Sequence, residues 1–429
     1  MSILVSNTKI VTQDRQRRIF EGNVLIEGSK ITGVSKKPIN QETEWKIDGR
    51  GKLLLPGLIN LHTHLPMGLL RGYGDDLPLE RWLTDCIWPA EGRLDPKSIK
   101  IGSELGLLEM IASGTTCFAD MYFFEEEIAE ITEKIGLRGF LGFSLMNRGT
   151  PELKPEEMHP ALSQFIQKWK KNDLVKPVVA PHSCYTCSSE ILTKAAEFAK
   201  KHGVLLHTHC SETKKEVYDC QAEYGKRPVE LFKECGVLTQ KTILAHCCWI
   251  TKAEINEIAK AKAKIAHNPI SNAKLATGSV PDLREILKAN VSVGLGTDGA
   301  ASNNDLNMFE TMKFASLLQK HQYEDPLALP AQKTLDLATL GGADALSMKG
   351  KLGSIEEGKL ADLILIDLRH PHLKPLHNPI STLVYATKGC DVCTTIVNGR
   401  LLMHEKRFLT CNYEKVLDEV SKVALELTK

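Results

Sequence analysis

Eight short apolar segments, each followed by a stretch of helical period, constrain this chain more than any other feature. The first closes the run Leu53 to His64, LLLPGLINLHTH, which has no polar alternation before its histidines. Such a run reads as a strand buried on both faces. After it come GTTCFADM (114–121), RGFLGFSLM (138–146), VKPVVAPHS (175–183), VLLHTHCSE (204–212), TILAHCCWI (242–250), AKIAHNPIS (263–271) and VSVGLGTDG (291–299). Helical patterns such as SSEILTKAAEFAKKHG and TKAEINEIAKAKA lie between them. Strand–helix units repeated in this way predict an α/β fold of the TIM-type (β/α)8 barrel class, whose usual size is ~250 residues or more. A doubly wound open sheet is the alternative. It would carry a glycine-rich phosphate turn after its first strand, and here that place holds His-Thr-His.

The two ends of the chain are different in kind. Residues 2–50 hold short β-like runs, with Glu27-Gly28-Ser29-Lys30 as a turn, and no helical period. Near the other end, KLADLILIDL (359–368) is strand-like, and TTIVNGRLLMHEKRF (394–408) places Asn398-Gly399 between apolar runs, a hairpin signal. Both ends are expected to join in a small β-sandwich domain (1–56 and 352–429) flanking a barrel at 57–351, with a terminal helix from Tyr413 that has Val416, Val420, Val423 and Leu427 on one face. A net charge of +1 gives no reason to expect nucleic acid or an anionic membrane as partner. No apolar run approaches the roughly 20 residues of a membrane span, and the first residues lack a signal-peptide pattern, so the expected location is cytoplasmic. Twelve cysteines in such a compartment are expected as free thiols. The Cys184/Cys187 and Cys390/Cys393 pairs lie in different domains, too far apart in the chain for one zinc site.

Chemistry enters at the strand ends. His62 and His64 stand at i and i+2, so on a strand they point the same way. One His-x-His pair also occurs as satisfied polar residues beside a core; recurrence decides between the readings. The C-terminal ends of the strands supply His62, His64, Asp120, His182, His209, His246, His267 and Asp298. A barrel gathers those ends at one mouth. Imidazole with carboxylate suits zinc or iron, and His62, His64, His209 and Asp298 would give three nitrogens and one oxygen with room for water.

The sequence PGLINLHTH, a histidine-bearing fifth strand, GLGTDGAASNN (294–304) and GSIEEGKLADLILID (353–367) together resemble the amidohydrolase superfamily over essentially the whole chain. More narrowly, LLRGYGDDLPLERWLTDCIWPAE (69–91), APHSCYTC (180–187) and HNPISNAKLATGSVP (267–281) are similar to the deaminases of 5′-methylthioadenosine and S-adenosylhomocysteine. The resemblance implies that His62, His64, His209 and Asp298 hold one divalent metal, most often zinc. Binuclear relatives add a carbamylated lysine at the end of the fourth strand, where this chain has His182. The metal would lower the pKa of its water and so supply hydroxide. Asp298 would accept that water's proton, His246 would hold the water, and Glu212 would protonate a ring nitrogen as the purine 6-carbon is attacked. A helix N-terminal carboxylate is the plainer reading of Glu212.

Substrate residues follow one shell out. LPLERWLTDCIWP would be a helix with Leu79, Trp82, Leu83 and Cys86 on one face, ended by Pro89. Glu91 just beyond it would accept two ribose hydroxyls, and His182 would touch the sugar or base. His267 and Asp120 are expected to orient the site. Relatives that accept S-adenosylhomocysteine carry arginines on and after the third strand; here Phe143 stands at the first such place, with Arg148 and Lys154 as remaining candidates. The expected function is therefore hydrolytic deamination of a 5′-substituted adenosine, a small-molecule nucleoside, with homo-oligomerisation left open. The alternatives are a hydrolase of a free heterocycle such as guanine or a triazine, which needs no ribose-binding Glu91, and a metal-free scaffold.

Overall fold

The computed structural model describes all 429 residues. The chain opens with strands β1 (Ser2–Val11), β2 (Ile19–Glu27), β3 (Lys30–Ser35), β4 (Trp45–Asp48) and β5 (Lys52–Pro56). Eight parallel strands follow: β6 (Leu58–Thr63), β7 (Thr115–Tyr122), β8 (Arg138–Leu145), β9 (Val175–Pro181), β10 (Leu205–Cys210), β11 (Thr242–His246), β12 (Lys264–His267) and β13 (Ser292–Leu295). They pair in chain order. The circle closes where Asp298 N, just past β13, donates to His62 O on β6 at 2.9 Å. Alternate side chains, among them Leu61, Ala119, Phe140, Val178 and Ala245, fill the interior below the rim.

The last strands, β14 (Leu363–Asp367), β15 (Val392–Val397), β16 (Arg400–His404) and β17 (Arg407–Phe408), return to the first five. Together they form one nine-stranded mixed sheet, β17-β16-β15-β14-β5-β1-β2-β3, with β4 on β1. One face encloses its own core (Ile3, Val24, Leu54, Leu365, Ile396); the other (Leu53, Leu55, Ile364, Val392) joins the large core shared with the barrel. The helix Tyr413–Leu427 buries Val416, Val423 and Leu427, but it leaves this sheet and packs on the first barrel helix, Pro96–Ala112. All twelve cysteines are free, and no helix is long and apolar enough to cross a membrane.

Two local expectations are corrected. LLLPGLINLHTH is two strands in two sheets, parted at Gly57. Gly57 N donates to Asp362 O at 2.9 Å, and a Cβ there would lie 2.0 Å from Thr116 Oγ1. Nor does Pro89 end its helix. A widened turn at Trp82–Ile87, in which Trp88 N reaches back to Leu83 O, admits the proline, and the helix runs on through Glu91.

Candidate active site

At the rim each of three imidazoles is fixed through Nδ1. His64 Nδ1 donates to Met121 O at 2.6 Å and His209 Nδ1 to His182 O at 2.7 Å, while His62 Nδ1 meets His207 Nε2 at 3.0 Å. That leaves every Nε2 free, and the three converge. His64 Nε2 lies 3.2 Å and His62 Nε2 3.4 Å from Asp298 Oδ1; His209 Nε2 is 3.4 Å from His64 Nε2. One extra residue on β6 between Asn60 and Thr63, opposite β7, forms a bulge there. It lets Leu61 stay in the interior while His62 joins His64. His62 Nε2 is buried without a hydrogen-bond partner. An orphaned buried nitrogen is costly, and a cation at that point would satisfy it. Ligand atoms of His62, His64 and Asp298 lie within 4.8 Å of one another, as do those of His62, His209 and His246, and of Glu212, His246 and Asp298. Three imidazole nitrogens and a carboxylate oxygen fit a divalent metal of borderline softness. Lys176, by contrast, sits at the opposite end of β9 and bonds the Asn172 carbonyl.

The charges agree with a cation site. Burial pushes Asp298 up, but its bonds to His62 and His64 outweigh this and hold the carboxyl well below its usual range. Ser271 Oγ (2.5 Å) and Gly299 N (2.8 Å) also donate to it. Burial draws the His62 and His209 rings down, so both are neutral donors. His64 is drawn down by burial too, yet Asp298 prevails and lifts it to about 9, a proton that a metal would displace. Asp298 (φ 65) and His246 (φ 73) both take left-handed backbone, which costs energy and aims their side chains inward.

Above this cluster opens a cleft. Glu212 and His246 form one side, His246 Nδ1 standing 3.8 Å from Glu212 Oε1. The amides of Asn272 (2.9 Å) and Asn268 (3.3 Å) point at His246 Nδ1, which leaves the ring proton on Nε2. Burial, with the charges of Asp298 and Glu216, pushes the Glu212 carboxyl well above its usual range. The cleft is also lined by Trp82, Leu83, Trp88 and Glu91 from the 79–91 helix, and Tyr122 donates to Glu91 Oε1 at 2.9 Å. His182 lines the cleft, its Nδ1 facing Thr186 Oγ1 at 2.9 Å.

Not every expected residue faces the cleft. Phe143 turns outward and packs on Phe165, so the wall at β8 is made by Ser144 and Met146. Arg148 is exposed at the rim, its guanidinium 4.5 Å above the Trp88 ring. Asp120 accepts Leu65 N at 2.8 Å, while both ring nitrogens of His267 are buried without partners. Tyr122, His207, Ser271 and Asn272 were not anticipated. His207 was visible in the sequence, since β10 repeats the His-Thr-His of β6; the others are ordinary residue types whose role appears only through their contacts.

A TIM-type barrel with histidine and aspartate side chains placed to hold a metal at its mouth is the architecture of metal-dependent hydrolases, and the chain belongs to the amidohydrolase family, whose profile it matches over residues 53–402. It is 44% identical to 5′-deoxyadenosine deaminase of Methanothermobacter thermautotrophicus, covering 100% of this chain and 99% of that one. It is 45% identical to 5-methylthioadenosine/S-adenosylhomocysteine deaminase of Thermococcus onnurineus, covering 100% of both. Among solved structures, a zinc-bound adenosine deaminase of Xanthomonas campestris superposes with a TM-score of 0.96 at 32% identity, covering 99% of this chain and 98% of that one. A zinc complex of atrazine chlorohydrolase from Arthrobacter aurescens gives 0.92 at 26%, covering 98% and 100%.

Proposed function

We propose that this chain is a zinc-dependent deaminase of 5′-substituted adenosines, converting the 6-amino purine and water to the inosine analogue and ammonia. The convergence of Glu212, His246 and Asp298 beside three Nε2 donors, with Glu91 lining the same cleft, carries the reading. When bound by His62, His64, His209 and Asp298, the metal makes water nucleophilic near neutral pH. His246 donates from Nε2 to hold that water. Asp298, ionised, takes its proton as the oxygen attacks the 6-carbon. Glu212, protonated, gives its proton to the adjacent ring nitrogen, which spares the ring a full negative charge. The proton on Asp298 then goes to the departing amine, which leaves as ammonia, and the proton left on the new 6-hydroxyl returns to Glu212 as the 6-oxo group forms.

Glu91 separates nucleosides from free bases. Tyr122 occupies one of its lone pairs, and the rest remain for the ribose diol. Relatives named for nucleosides also stand nearer, at 44% and 45% identity, than the atrazine enzyme at 26%. No lysine or arginine lines the inner cleft, so an uncharged 5′ group held there needs no counter-ion; Lys215 and Lys274 line the adjoining outer space. Ammonia release tests the reading across adenosine, 5′-deoxyadenosine, methylthioadenosine, S-adenosylhomocysteine, adenine and guanine. Methylthioadenosine and 5′-deoxyadenosine should lead, with both free bases inert. Faster turnover of guanine than of any nucleoside overturns it.

A further inference from the structure

Four residues after Glu212, at the third position of the helix Lys214–Tyr224, stands a second glutamate, Glu216, only 4% exposed. No cation touches it. Buried carboxylates without a paired charge are rare, because desolvation is costly. Its partners explain how it is held. Glu216 Oε1 accepts Ser211 N at 2.8 Å and the Cys184 thiol at 3.4 Å, and Oε2 accepts Glu212 N at 2.6 Å. The two amides are consecutive, and they belong to the turn between β10 and its helix. The helix does not need this carboxylate as its cap, since Thr213 already accepts Glu216 N at 3.0 Å. Instead the side chain reaches back past the cap to the segment that presents Glu212.

That segment is under strain. Ser211 has φ 50, a left-handed conformation that a residue with a Cβ adopts at a cost. Two charge-assisted bonds to the two oxygens of one carboxylate fix both peptide planes, and with them the direction in which the Glu212 side chain leaves the backbone. The Cys184 bond ties the same carboxylate to the loop after β9, which carries His182 and Tyr185 into the cleft.

We infer that Glu216 is a positioning residue for the deamination: its carboxylate clamps the Ser211 and Glu212 amides and so aims the Glu212 carboxyl at the substrate's ring nitrogen. This rests on the proposed role of Glu212 as the proton donor. A glutamine at position 216 keeps the size but offers a single acceptor oxygen, so one amide must face an NH₂ group. Misplacing a reacting group by a fraction of an ångström to an ångström is worth up to ~10²-fold in rate.

The test compares Glu216→Gln, Glu212→Gln and the double variant on methylthioadenosine, with zinc content and thermal melting of each. Glu216→Gln should lower kcat by about 10- to 100-fold with KM within about threefold of wild type and zinc unchanged. The double variant should cost no more than Glu212→Gln alone, because Glu216 acts through Glu212. A helix-capping role alone would lower the melting temperature and leave kcat in place. Wild-type kcat in Glu216→Gln, or losses that add in the double variant, overturns the inference. If Glu216→Gln is insoluble, Glu216→Asp, too short to reach both amides, is judged by the same outcomes. A wild-type enzyme silent on every adenosine brings down the deaminase reading and this inference with it, whereas Glu212→Gln at full rate leaves the deaminase reading standing and removes only the role of Glu212 on which the inference rests.

Discussion

Glu91 is a carboxylate whose surroundings oppose its charge. Burial raises it to about 7, and the Tyr122 hydroxyl and the charges of His64 and Arg148 only partly offset this. Because the value is raised, the ionised form prevails above about 7 and is lost as pH falls through it. Binding of the ribose diol should weaken in the same direction, so KM for methylthioadenosine should climb as pH drops from about 8 to about 6, and Glu91→Gln should abolish that climb. The variant should also lose about 1–3 kcal/mol in kcat/KM, roughly ten- to a hundredfold. A 2′,3′-dideoxy substrate should cost wild type as much, and the two together little more. A flat KM, or fully additive losses, would mean that Glu91 does not hold the diol. Glu212 and His209 separate chemistry from metal in a similar way. Glu212→Gln should keep its zinc and lose about 10² to 10⁴ in kcat, whereas His209→Ala should lose both. Zinc retained at the wild-type ratio in His209→Ala would contradict the ligand assignment.

Among the elements, the stretch that announced the barrel was also the one misjudged. Apolar period and the histidines at strand ends made eight strands and most of the rim legible, since both follow from local chain geometry. The boundary at Pro56-Gly57 was legible as the passage from the end domain to the barrel, but the run read as one strand is two, because unbroken apolar character does not show where one strand stops and the next begins. Phe143 was misread for a related reason: spacing gives alternation, and only neighbours such as Phe165 say which face is outward. The contacts of Tyr122, Ser271 and Glu216 join elements distant in sequence or turn back on themselves, and no period encodes them. Gly57 tests the split. Its φ lies outside the left-handed region, so alanine is open to it conformationally, and the nearest obstacle is the Thr116 side chain. Gly57→Ala should destabilise the fold by about 1–3 kcal/mol, and Thr116→Gly added to it should restore much of that loss. Denaturant midpoints read both; no rescue would mean that the backbone itself resists the substitution.

Across the whole molecule, the barrel and the sheet of chain ends meet at one buried ion pair. Arg138 on β8 gives Nε to Asp362 Oδ2 at 2.8 Å and one terminal nitrogen to Oδ1 at 3.1 Å, with both side chains 2–3% exposed. Asp362 also accepts Asn398 N at 2.8 Å from the β15–β16 turn, and its carbonyl takes Gly57 N at 2.9 Å where the chain passes between sheets. Arg138 in turn bonds the Asp173 carbonyl at 2.9 Å ahead of β9. One aspartate therefore fixes the exit from the end sheet, a barrel strand and the returning hairpin. Removing it leaves a buried guanidinium without its counter-charge, so Asp362→Ala should cost about 3–5 kcal/mol in unfolding free energy. Neither residue touches the ligands, so the variant that remains folded in the cold should hold its zinc and turn over. The double change Arg138→Met with Asp362→Leu removes both charges, and a dry joint of similar volume should recover most of the loss, less the bonds that Asn398 N and the Asp173 carbonyl forfeit. Should Asp362→Ala alone prove as stable as wild type, the pair is not what joins the two sheets, and the apolar seam of β5 and β14 against the barrel would have to carry that role unaided.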